Sequence, residues 1–214
     1  MSEQQNSKLA ASLVEHQKNF DCMSTEDRQW AIQNTVEAIK LFAEAARNRG
    51  SKVVAKLLSF VTTLTVGGAK KFSAKKKFVV DTSDDAEVKI YDLGSNFKRI
   101  FGDLIEEDVE GVTLNVHNLN QASLDPDIMV ELGAERRVIK LANFYEALRQ
   151  QGHGQAGKLL TKGYAANIAY IIGNDDNVWA VDARWRDDGW DVDANSVGDP
   201  FWWDAGRQVL SRGF

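Results

Sequence analysis

The sequence predicts an α+β fold with a helical N-terminal part, a mixed middle and a C-terminal antiparallel β region. Three observations carry this expectation. Apolar residues from Trp30 to Ala46 recur at mostly three- and four-residue spacing, the period of an amphipathic helix. Between residues 78 and 150 short helical and strand-like segments are mixed, without the regular βαβ alternation of a parallel sheet. Residues 178–212 then alternate with period two around an Asp-Gly dipeptide, which is the pattern of a hairpin.

Taken in order, residues 1–23 are polar and read as a loosely attached arm. Residues 24–68 read as a helical segment. Ser24 caps its start, Asp27 completes a capping-type box, and Gly50 closes the first helix. A second helix is expected from Lys52 to about Ser59, although the β-branched run Val61 to Val66 suits an extended chain better. Gly67-Gly68 and the lysines 70, 71, 75, 76 and 77 mark a linker or exposed loop.

An α+β domain is expected over 78–214. Phe78–Val80 and Val88–Tyr91 read as two short strands, Asn96–Glu106 as a helix and Val112–His117 as a strand. Asp125-Pro126 opens a short helix that ends at Gly133, because proline suits the first helical turn and glycine the residue after the last. A longer helix is expected over Glu135–Gln150, and a strand over 164–172.

The final stretch is the densest in chemistry, with five of the six tryptophans. Trp179, Val181, Ala183 and Trp185 fall on one face of the first strand. Trp190, Val192, Ala194 and Ser196 fall on one face of the second, and Asp188-Gly189 supplies the turn. The opposite face carries Asp182, Arg184, Asp191, Asp193 and Asn195, a crowd of charge that reads as a displayed recognition surface. Aromatic and arginine side chains dominate binding hot spots, so Phe201–Arg207 joins the expected exposed set. Trp179, Trp185, Trp190 and one of Trp202 or Trp203 are expected in the core.

Composition narrows the function classes. A chain of 214 residues, 43% hydrophobic and 27% charged, reads as a soluble globular protein. A net charge of −5 argues against general nucleic-acid binding. A single cysteine, Cys22, forms no internal disulfide, and no stretch reaches the roughly 20 apolar residues of a membrane span. The N-terminus lacks the pattern of a secretory signal, so the default location is cytoplasmic, with export by another route left open.

No catalytic or metal motif stands out, and no cofactor is expected. His16, His117 and His153 are far apart and read as surface or loop histidines rather than zinc ligands. Gly152-His153-Gly154-Gln155-Ala156-Gly157 has dinucleotide-fingerprint spacing but follows a helix rather than a strand. Asp191-Val192-Asp193-Ala194-Asn195 opens like a calcium loop, yet Ser196 and Trp202 stand where glycine and glutamate are needed.

One resemblance adds to this reading. Gly189, Trp190, Val192, Ala194, Ser196, Val197, Asp199, Pro200, Trp203, Ala205, Gly206, Val209, Ser211 and Arg212 form a framework. With residues 24–35, it resembles uncharacterised proteins of candidate-phyla bacteria. The C-terminal layout is similar to the variable region of target proteins of diversity-generating retroelements. That resemblance implies a C-type-lectin fold related to formylglycine-generating enzymes, and a face of rewritten side chains on a fixed scaffold. The positions between the framework residues would then be the binding set: Asp182, Arg184, Arg186, Asp187, Asp191, Asp193, Asn195, Phe201, Trp202, Asp204 and Arg207.

The expected function is therefore non-enzymatic binding of a protein or other macromolecular ligand. Two alternatives stand beside it: a divalent-cation-dependent hydrolase using the carboxylate face of the hairpin, and a structural protein of a phage or mobile element.

Overall fold

The computed structural model describes residues 56–151, 157–199 and 201–213, together with the isolated positions Gln29 and Gln33. The chain divides into two units, 1–55 and 56–214, and every strand and helix named below belongs to the second. The expected arm, Cys22, His16, His153 and most of the expected first helix lie outside the described residues. Gln29 and Gln33 are both helical and exposed.

The second unit is α+β. Its eleven strands are β1 (Leu58–Val66), β2 (Ala69–Ser73), β3 (Ile90–Leu93), β4 (Ile105–Val109), β5 (Val112–Leu119), β6 (Ser123–Leu124), β7 (Ala166–Ile172), β8 (Val178–Arg186), β9 (Gly189–Ser196), β10 (Trp202–Trp203) and β11 (Gln208–Arg212). The described helices are α1 (Ala74–Lys77), α2 (Ser95–Phe101), α3 (Asp125–Leu132) and α4 (Leu141–Gln151). None is long and apolar enough to cross a membrane.

Seven strands form one sheet in the order β1-β5-β11-β7-β8-β9-β3. The pairs β11–β7 and β3–β9 are parallel and the others antiparallel. The C-terminal β region was expected to be antiparallel; it is mixed, since β11 inserts between β5 and β7 and runs parallel to β7, and the early strand β3 completes the edge parallel to β9.

The last part of the helical segment expected over 24–68 is also corrected: Leu58–Val66 is a strand paired along its length with β5, so the helix expected to about Ser59 gives way to the extended chain already favoured for Val61–Val66. Its β-branched half sets the conformation and carries Leu58 and Ser59 with it. The expected lysine-rich linker is strand β2 followed by α1. Its charges meet an acidic strand: Lys70 lies 3.3 Å from Asp108 and Lys71 3.6 Å from Glu107, across the β2–β4 pair. Phe78–Val80 is not a strand; only Asp81 bridges to Ile90. The helix expected to Glu106 stops at Phe101, and Ile105 is exposed on β4 rather than part of a buried stripe. Helix α4 begins at Leu141, six residues after Glu135. Both oxygens of the buried Glu106 accept from the backbone N–H groups of Leu141 and Ala142, at 3.2 and 2.8 Å, and so cap its orphan donors.

Helix α3 has the expected bounds, with Pro126 in its first turn and Gly133 at φ +82°, a conformation that glycine adopts without penalty. The hairpin turn is displaced by one residue from the expected Asp188-Gly189. Arg186 pairs with Gly189, so Asp187 and Asp188 form the turn and Asp187 takes the positive φ.

Both faces of the sheet are covered. Trp179, Val181, Ala183, Trp185, Trp190 and Val192 pack with Phe97, Phe101, Phe144, Tyr145 and Leu148 from α2 and α4. Ala180, Ile168, Tyr170, Val209 and Leu119 pack on the other side with Ile128, Met129 and Leu132 of α3 and with Trp203. Strand β7, ANIAYII, is buried for six of its seven residues, as the continuous apolar run of a strand covered on both sides requires.

Candidate functional site

A buried carboxylate builds the site. Asp125, at the start of α3, is fully buried. It accepts from Tyr170 Oη at 2.9 Å and Trp203 Nε1 at 2.8 Å on one oxygen, and from the Phe201 backbone N–H at 3.2 Å on the other. Strand β10 pairs with β6 immediately before α3, with Trp202 opposite Leu124 and Trp203 opposite Ser123. The segment on either side of Trp202 is therefore fastened to the scaffold. Further on, Gly206 takes φ +84° and donates to the Leu119 carbonyl at 2.7 Å, which brings Arg207 beside the start of β7.

These constraints gather Tyr164, Arg184, Phe201, Trp202, Trp203, Asp204 and Arg207 around a pocket of about 180 Å³. Trp202 is 62% exposed and Phe201 46%, whereas Trp203 is buried and packs edge-on to Phe201 at 4.9 Å. The Arg184 guanidinium lies over the Tyr164 ring at 5.4 Å and the Trp203 ring at 6.0 Å. Arg207 donates to the Tyr164 carbonyl at 3.2 Å and to Asp204 at 3.1 Å. Cations over aromatic faces gain electrostatically, most where water is excluded.

Of the expected binding set, Arg184, Phe201, Trp202, Asp204 and Arg207 converge on this pocket. Asp191 stands beside it, accepting from the Tyr164 hydroxyl and lying 3.8 Å from Arg186. Arg186 turns away over the Tyr91 ring at 5.0 Å, and Asp187 sits exposed in the hairpin turn. Asp193 accepts from the backbone of Ala194 and packs against Gly94, where a Cβ would run into its carboxylate. Tyr164 and Trp203 were not in the expected set. Trp203 was assigned to the support, and Tyr164 was expected to open a strand over 164–172; the strand starts at Ala166, and Tyr164 lies ahead of it at φ +53°.

Asp182 corrects the expectation of a displayed face. It is 1% exposed. Asn195 donates to its Oδ2 at 3.1 Å, and Arg184 Nε lies 2.9 Å from Oδ1. That ion pair lacks hydrogen-bonding geometry, so Oδ1 has no hydrogen-bond partner among the described residues. Burial pushes the Asp182 carboxyl up to about 7, against the pull of Arg184 and with the repulsion of Asp193 and Asp191. Asp193 is its direct cross-strand partner, where like charges repel.

The sign of the pH effect follows. The folded chain retains a proton that the unfolded chain releases near pH 4, so this contribution to stability is full below pH 4 and is lost as pH rises through 7. Asp182→Asn should flatten that slope. We expect it to stabilise the protein at pH 8 by on the order of 1–3 kcal/mol, and to leave it near the parent at pH 4. Urea titrations at both pH values test this; a variant less stable than the parent at pH 8 refutes it.

His117, expected at the surface or in a loop, is half-buried in β5 and bonded to Ser211 at 3.0 Å; burial pulls its pKa down. Asp182, Asp191 and Asp193 do not form a metal cradle: no group of three or more His, Cys, Asp or Glu side chains among the described residues is placed to hold an ion. A larger cavity, about 620 Å³, is lined by β4, the start of α4 and the turn after β7. It contains no aromatic side chain, and its buried acid Glu106 is engaged as the cap of α4. The smaller pocket therefore has the better-furnished chemistry.

Comparison with protein-family models, with curated proteins and with solved structures gives no match.

Proposed function

We propose that this protein binds a protein ligand through the face formed by Tyr164, Arg184 and the Phe201–Arg207 loop. The observation that carries this reading is an exposed indole, Trp202, held between two residues whose backbone or ring is bonded to the buried Asp125. A large aromatic kept in water on a fixed support has a small entropic cost of association, which is what hot-spot residues need. The pairing of β10 with β6 turns Trp203 to the core and so leaves Trp202 on the outer side.

The same face suits a diversified surface of the retroelement type, with C-type-lectin-like display. Framework positions Trp190, Val192, Ala194, Trp203 and Val209 are buried, whereas the intervening Phe201, Trp202 and Asp204 are exposed. Side chains at those exposed positions can change with little effect on folding.

Sequencing the coding segment for residues 178–212 across the population that carries the gene tests this. The expected result is variation concentrated at the codons for Arg184, Phe201, Trp202, Asp204 and Arg207, with a near-copy of the segment beside a reverse transcriptase gene. Variation spread evenly over Trp190, Trp203 and the loop would defeat the proposal.

A further inference from the structure

We propose that the pocket receives a side-chain carboxylate of the protein partner, packed beside an apolar residue, and that Asp182 takes up a proton as the carboxylate enters. This rests on the recognition reading of the same face and specifies its ligand chemistry.

The lining supplies the complementarity. The lining itself holds two cations, Arg184 and Arg207, and one anion, Asp204, among aromatic walls, with Asp182 behind Arg184 and Asp191 behind Tyr164. The Arg207–Asp204 pair is a loose one, since the Asp204 side chain is 78% exposed and an exposed pair contributes little. Arg184 faces Asp182 through Nε at 2.9 Å, and its guanidinium otherwise meets the neutral Tyr164 hydroxyl, a weaker acceptor than an entering carboxylate. A planar fork stacked on aromatic rings is suited to a carboxylate. Trp202 and Phe201 offer apolar surface at the rim for the neighbouring residue.

Asp182 couples to this entry because it shares Arg184. Its surroundings are Arg184 on its own strand, Asp191, Asp193 and Asn195 on β9, Arg207 ahead of β11, and the apolar Ile168 opposite on β7. A ligand carboxylate that engages Arg184 draws away the cation facing Asp182 and adds another negative charge. Both changes favour the protonated acid, whose Oδ1 has no hydrogen-bond donor among the described residues. Binding must then tighten as pH falls towards 6, while an aspartate on the ligand, with a pKa near 4, stays ionised.

The experiment uses the ¹⁵N-labelled full chain and follows the tryptophan indole N–H resonances. The probes are N-acetyl-Asp-Phe-amide, its Asn-Phe counterpart, and benzoate, each at pH 6 and pH 8. We expect the Asp peptide to bind roughly tenfold tighter than the Asn peptide, and to gain about fivefold from pH 8 to pH 6. Asp182→Asn should bind the Asp peptide with no pH dependence. Arg207→Gln, at a partly exposed position, should lose roughly tenfold, as should Arg184→Gln if it folds.

Equal binding of the two peptides, or weakening towards pH 6, overturns the proposal. Benzoate binding without peptide binding overturns it too, since the pocket would then take a free small anion. The two readings fail separately. Equal peptide binding with population variation still focused on the loop removes the carboxylate and leaves the recognition face. Evenly spread variation with an intact Asp preference removes the diversified surface and leaves the carboxylate pocket.

Discussion

Asp125→Ala should be the most damaging polar substitution among the described residues, costing about 3–6 kcal/mol of stability. The carboxylate is fully buried and three donors converge on it: Tyr170 Oη, Trp203 Nε1 and the Phe201 N–H. Removing the acceptor leaves the Tyr170 and Trp203 donors buried without partners, at a desolvation cost of about 1–3 kcal/mol each, and frees the part-buried Phe201 N–H. It also removes a negative charge from the first turn of α3, where the helix dipole favours one. A domain of this size has roughly 5–15 kcal/mol in total, so the variant should be marginally folded at best. Tyr170→Phe, which removes a single donor, should cost only about 1 kcal/mol. Urea unfolding of the two variants measures both; a loss under about 1 kcal/mol for Asp125→Ala would show that the three donors find other partners. The substitution also reaches the site, because the same carboxylate fastens the chain on both sides of Trp202.

How much of this was legible in the sequence depended on the range of the interaction that decides each feature. Helix α3 was readable because a proline and a glycine in its own sequence set both ends. The hairpin was readable because alternation is a local property, and its pairing of Trp185 with Trp190 keeps the expected faces together. Its turn was misplaced by one residue because aspartate, like glycine, tolerates the left-handed region, and Asp187 takes it. Strand β1 was hidden because Leu57, Leu58 and the lysines around them also fit a helical stripe, and its partner β5 begins at residue 112. The burial of Asp182 was invisible for the same reason. Alternation tells which face a side chain takes, but α3 and Trp203, which cover that face, come from elsewhere in the chain. The loop aromatics of the site were legible in composition, whereas Tyr164 is held there by partners far along the chain, its carbonyl accepting from Arg207 and its hydroxyl donating to Asp191.

Trp190→Ala and Trp202→Ala should separate support from surface. Trp190 is 1% exposed, stands edge-on to Trp185 at 5.2 Å, and sits in the cluster that joins the hairpin to α2 and α4. Truncating it opens a cavity that rigid neighbouring strands cannot close, and the cost should be about 3–5 kcal/mol. Trp202 is 62% exposed and touches the scaffold mainly through backbone pairing with Leu124, which alanine preserves. Its loss should change stability by no more than about 0.5 kcal/mol. Binding should follow the opposite order: Trp202→Ala should weaken capture of the Asp-Phe peptide by roughly tenfold, as truncation of an aromatic anchor does. Thermal or urea melts paired with peptide titration read both quantities from the same samples. If Trp202→Ala instead unfolds the protein, the indole belongs to the core in solution and the loop is no recognition face. Tryptophans one position apart, Trp202 and Trp203, would then share one role, although alternation along β10 places them on opposite sides of the strand.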